Sequence, residues 1–129
     1  MNKSKITGSA PVLMVSDVVN SANWYRDKLG FSYEQFYGDP PGFCILERDN
    51  FHLMLSQVKD KSEIKPHWKI VEKMWNVYFW VNDVESIYNE FIKNGATIDY
   101  TLYLTSYGVK EFGINDPDGY DIAFGEIVK

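Results

Sequence analysis

Val15-Ser16-Asp17-Val18 recurs further along the chain as Val81-Asn82-Asp83-Val84, and this repeat decides how the rest is read. Each copy follows an apolar run, Pro11 to Val15 and Trp75 to Val81, that reads as a strand. Asp17 and Asp83 then stand where an N-cap belongs, since a carboxylate there accepts hydrogen bonds from the unpaired amides of a first helical turn. Behind Asp17, Val18, Ala22, Tyr25 and Leu29 fall at helical spacing and Gly30 supplies the stop. Behind Asp83, Val84, Tyr88, Phe91 and Ile92 do the same, stopped by Gly95.

The correspondence continues beyond the helices. Ser32 to Tyr37 and Thr97 to Thr101 read as the next strands, and Phe43 to Glu47 and Val109 to Ile114 follow. The last strands align as Phe51 to Leu55 with Tyr120 to Phe124, each introduced by a turn, Asp49-Asn50 or Asp116-Pro117-Asp118-Gly119. Proline presets φ early in the second turn and glycine tolerates positive φ at its end. Both halves therefore read as β-α-β-β-β, one domain of α+β class made of two tandem modules. Module one covers about 8–56 and module two about 75–129. The charged linker of 57–74 lies between them, with a helical turn expected after Pro66.

Composition narrows the function. Hydrophobic residues at 45% and charged residues at 24% are normal for a soluble globular domain, whereas aromatic content of 16% is high. Aromatic rings suit both cores and ligand-stacking walls. A net charge of −5 argues against nucleic acid and favours a neutral or cationic ligand. The lone Cys44 sits in an apolar run and suits a reducing cytoplasm as an inert buried thiol. No apolar run is long enough for a signal peptide or a membrane span.

The paired modules resemble the vicinal oxygen chelate superfamily, which includes glyoxalase I, extradiol dioxygenases and bleomycin-resistance proteins. The likeness rests on the run Val12 to Asp17, on Trp24-Tyr25-Arg26-Asp27-Lys28-Leu29-Gly30-Phe31, on Val81 to Val84 with Gly95-Ala96, and on Asn115-Asp116-Pro117-Asp118-Gly119-Tyr120. It implies a curled, partly closed sheet around a cavity, with the helices outside. It also implies, in metal-using members, four ligands from the first and last strands of the modules. Those positions are Ala10, Met54, Asn76 and Ala123 here. None suits iron, zinc, nickel or manganese, which take imidazole, carboxylate or thiolate, so no metal or other cofactor is expected. The histidines are His52 and His67, too few to rebuild a site on the cavity wall.

Strand alternation places Met14, His52, Met54, Asn76, Tyr78, Trp80 and Asp121 toward the cavity as candidate ligand-binding residues. Phe112 joins them, although one residue of register decides its face and that of Ile114. Glu34, Glu47 and Glu111 read as solvated carboxylates, and Tyr100, Tyr103 and Tyr107 as either a stacking lid or an edge strand. No catalytic residue is assigned. The expected function is sequestration of a small aromatic or cationic molecule, in the manner of antibiotic-binding resistance proteins. The resemblance implies a homodimer; no nucleic-acid or membrane partner is expected. The alternative is a glyoxalase-like lyase, isomerase or dioxygenase with an altered metal site.

Overall fold

A computed structural model describes residues 3–128 and has the two-module architecture. Module one contains β1 (Val12–Val15), α1 (Val18–Leu29), β2 (Phe36–Tyr37), β3 (Phe43–Arg48) and β4 (Phe51–Gln57). Module two contains β5 (Val77–Trp80), α2 (Val84–Asn94), β6 (Thr97–Leu104), β7 (Val109–Asn115) and β8 (Asp121–Ile127). The linker holds two 3-10 turns, at Lys61–Glu63 and at His67–Lys69, the second following Pro66 as its sequence predicts.

The capping logic holds at both helices. Asp17 Oδ1 accepts from the Asn20 amide at 3.0 Å, and Asp83 Oδ1 from the Ser86 amide at 3.1 Å. Gly30 and Gly95 end the helices in the left-handed region, at φ of 73° and 81°. Each module forms its own four-stranded sheet, ordered β1-β4-β3-β2 and β5-β8-β7-β6. The central pairs are related in both: the first strand runs parallel to the last, which pairs antiparallel to the one before it. The partly closed sheet implied by the resemblance is here two open sheets, side by side, with no strand ladder joining them among the described residues.

Each sheet packs one face under its helix. Leu13, Val15, Leu46, Leu53 and Leu55 lie under α1, and Ile114, Ile122 and Phe124 under α2, all in one buried cluster. Phe112 belongs to this helix-facing layer and not to the cavity wall. Its ring is fully buried, stacked on Phe124 at 5.4 Å and edge-on to Phe91 at 5.9 Å. The cause is register: Phe112 pairs opposite Phe124, so the two must share a face. Glu111 is turned to the other face.

Three of the stretches that carry the family likeness meet at the seam between modules. The Tyr25 hydroxyl donates to Asp116 Oδ2 at 2.7 Å, and Asp116 Oδ1 also accepts the amides of Asp118 and Tyr120. Ser16 donates to Asp118 at 2.6 Å through its hydroxyl, and Tyr120 donates to the Met14 carbonyl. Burial drives the Asp116 carboxyl up to about 6, against the lowering effect of these donors. On the opposite side of the seam Arg48 forms a bidentate pair with Glu90, at 2.7 and 2.9 Å, and lies over the Phe91 ring. The Asp-Pro-Asp-Gly turn and the Trp-Tyr helix are thus a structural clasp.

Candidate functional site

The other candidate residues lie on the sheet faces left uncovered by the helices. On module one, alternation puts Val12, Met14, Met54 and Ile45 there, with Val12 and Met14 about half exposed at 54% and 52%. His52 lies beyond them, exposed, with Nε2 3.9 Å from Glu47. Across the seam it meets Tyr78 and Trp80 in a cleft of about 330 Å³ that Pro11 and Phe51 help to line. The structure therefore brings His52 to two of the predicted aromatic residues, while Met14 and Met54 stay on the first sheet.

The uncovered face of module two is paved with rings. Tyr78 and Trp80 come from β5 and Asn76 from the residue before it, Asp121, Ala123 and Gly125 from β8, and Glu111 and Gly113 from β7. Gly113 and Gly125 are what make the paving possible. A Cβ on Gly125 would run into the Tyr78 hydroxyl, and one on Gly113 into the Tyr100 ring. With only hydrogen at both places, Tyr78 and Tyr100 lie across the sheet and reach Glu111. Tyr100 arrives from β6, whose register against β7 shifts on both sides of it, a pair of irregularities that re-aim an edge strand.

Glu111 is the hub, and it is 2% exposed, not solvated as its sequence position implies. Oε1 accepts from Tyr78 at 2.9 Å and Tyr107 at 3.0 Å, and Oε2 accepts from Tyr100 at 2.9 Å. The Trp75 indole N–H donates to the Tyr100 hydroxyl at 2.9 Å. Burial first, then the bond to Glu111, raises the pKa of each of these tyrosines above its ordinary value. Trp75, Tyr78 and Trp80 form a row, with ring centres 4.7 and 4.8 Å apart. Together with Tyr107 they border an open cleft of about 380 Å³. Tyr100 and Tyr103 thus belong to an edge strand, and Tyr107 to the turn after it.

Asp121 is on this face but out of a ligand's reach. It is 2% exposed, and its Oδ1 closes with the Tyr100 ring over the α-carbon of Gly113, without a hydrogen-bond partner. Burial, reinforced by the nearby carboxyl of Asp99, raises its pKa to about 8. Asn76 is occupied structurally: its side-chain oxygen accepts the His67 amide at 2.9 Å and ties the linker down.

The family's metal positions fail a test of donor chemistry. Ala10 and Ala123 have no donor atom, Met54 has only a thioether, and the Asn76 oxygen is already committed. Among the described residues no three His, Cys, Asp or Glu side chains converge as a metal site. No helix there is long and apolar enough to cross a membrane.

Residues 9–124 match the Glyoxalase/Bleomycin resistance protein/Dioxygenase superfamily, and the chain belongs to it. Solved structures agree on the fold. TioX from Micromonospora sp. ML1 is 15% identical, with a TM-score of 0.74 over 95% of this chain and 99% of its own. A glyoxalase-related enzyme from Clostridium phytofermentans is 16% identical, with a TM-score of 0.76 over 99% and 100%. The bleomycin-binding protein of Streptomyces verticillus, complexed with copper(II)-bleomycin, is 20% identical, with a TM-score of 0.69 over 98% and 99%. A comparison with the curated proteins finds no match.

Proposed function

We propose that this protein binds and sequesters a small aromatic or cationic molecule on the ring-paved face of module two, without a metal at the family's positions. The observation that carries this reading is a substitution of purpose on one surface. Where metal-using relatives need donor atoms this chain has Ala10, Met54, Asn76 and Ala123, and beside two of these positions stand Trp75, Tyr78, Trp80 and Tyr107. Ligand sites are largely apolar with a few fixed polar groups, and Glu111 with its tyrosines is such a group. An antibiotic is one ligand class that fits; bleomycin itself is an analogy, because a shared fold does not fix a ligand. The enzymatic alternative has less support, since the two carboxyls raised toward neutrality are both buried, Asp116 held in the seam by Tyr25 and Asp121 packed with the Tyr100 ring over Gly113.

We propose further that two copies associate, the half-exposed Val12 and Met14 face of one chain covering module two of the other and deepening the cleft. The reduced Cys44 and the acidic surface suit the cytoplasm. Tryptophan emission titrated with a panel of planar aromatic and cationic compounds tests the binding reading. A saturable change that Trp80→Ala weakens supports it; no response to any compound, with Trp80→Ala equally silent, removes it.

A further inference from the structure

The ring-lined cleft has a feature that a stacking site for a flat neutral compound does not need, namely a carboxyl group buried behind it. Of its four bordering residues, Tyr78 and Tyr107 donate their hydroxyls to Glu111. Trp75 donates to Tyr100, which donates to the other oxygen of the same carboxyl. Three of the four rings therefore have their polar edges tied back to one acidic group. What they retain for a ligand is π surface, which carries the negative lobe of the ring quadrupole. A hydroxyl that donates to an acid also feeds electron density into its ring, strengthening that lobe. Among the described residues no lysine or arginine borders the cleft.

Resting on the small-molecule reading above, we propose that the group seated in this cleft is an alkylated ammonium, as in a quaternary or tertiary amine. The hydrogen bonding separates this from other cations. Glu111 is buried and engaged by three hydroxyls, so it offers no free oxygen to a metal ion or a primary ammonium, which demand direct acceptors. An alkylated ammonium needs none: it is poorly hydrated, spreads its charge over methyl or methylene groups, and is held by ring faces. The acid is itself buried behind the rings that bond it, so its field is screened less than that of a surface carboxylate.

Choline and its uncharged carbon isostere, 3,3-dimethylbutan-1-ol, test this by calorimetric titration of the intact protein at fixed ionic strength. Choline is expected to bind about tenfold more tightly than the isostere, the factor that a partly desolvated cation–π contact supplies. Glu111→Gln should draw the two affinities together. Because that change is buried, Tyr107→Leu and Trp80→Leu, both at exposed rings, provide the second arm and should weaken choline several-fold. Equal binding of choline and isostere overturns the inference and leaves an aromatic pocket standing. So does choline binding that neither exposed-ring variant alters, or failure of both compounds where planar aromatics bind. Failure of every compound removes the small-molecule reading as well.

Discussion

Replacing Asp121 by asparagine should make the protein more stable at alkaline pH and leave it little changed in mild acid. In the folded chain the carboxyl is buried with one oxygen unpartnered, and its pKa is about 8 against an ordinary 3.8. The folded state therefore binds more protons than the unfolded state throughout that window. The contribution of this group to stability is highest below pH 4, and falls as pH rises until the folded carboxyl ionises. An isolated group shifted this far would lose on the order of 5 kcal/mol across the window. Asp99, however, supplies part of the shift and stands in solvent, where its repulsion is screened, so we expect about 2 kcal/mol. Asparagine keeps the shape and carries no charge at any pH. Urea midpoints at pH 5, 7 and 9 should converge at the acid end and separate by pH 9, with the variant higher. Comparing the variant with the parent cancels groups that titrate in both, among them Asp116 and the tyrosines. Parallel pH profiles, or a variant that is the weaker of the two at pH 9, would refute the reasoning.

Other consequences are simpler to state. Gly125→Val places a branched side chain against the Tyr78 hydroxyl, and should destabilise by about 2 kcal/mol while detaching Tyr78 from Glu111; an unchanged urea midpoint would count against the paved face. Tyr25→Phe strips one donor from buried Asp116, and should cost about 1–3 kcal/mol in chemical denaturation, most of it above pH 6, where Asp116 is ionised. His52→Ala should stay within about 0.5 kcal/mol of the parent, because the ring is exposed and 3.9 Å from its one partner; a larger loss would show that His52 has a structural role.

The fold was legible because its signals are local and doubled. Two aspartate caps, two glycine stops and two hairpin turns marked the elements, and duplication marked the two modules; the strand pairing within each sheet came from the structure. The candidate site was legible only along β5, with Asn76 just before it, and along β8, where Tyr78 and Ala123 could be placed by alternation from the family's ligand positions. On β7 the reading failed by one residue. Phe112 looked eligible for the cavity and Glu111 for solvent, yet pairing with Phe124 and Gly125 reverses both. The missed signal is in the small residues: Gly113 alternates with Phe112 and Ile114, and Gly125 follows Phe124, so each glycine marks the face where a neighbouring ring must lie. Register across the β6 irregularities depends on tertiary contacts, which is why Tyr100 was not assignable in advance.

The central proposal is that this chain, with the superfamily's fold, binds its ligand on a ring-lined face without a metal at the family's positions. Elemental analysis of protein purified without chelator measures this most directly. The account predicts transition metal well below one equivalent per chain, unaltered by His52→Ala or Asp121→Asn. A stoichiometric metal that either substitution removes would contradict it.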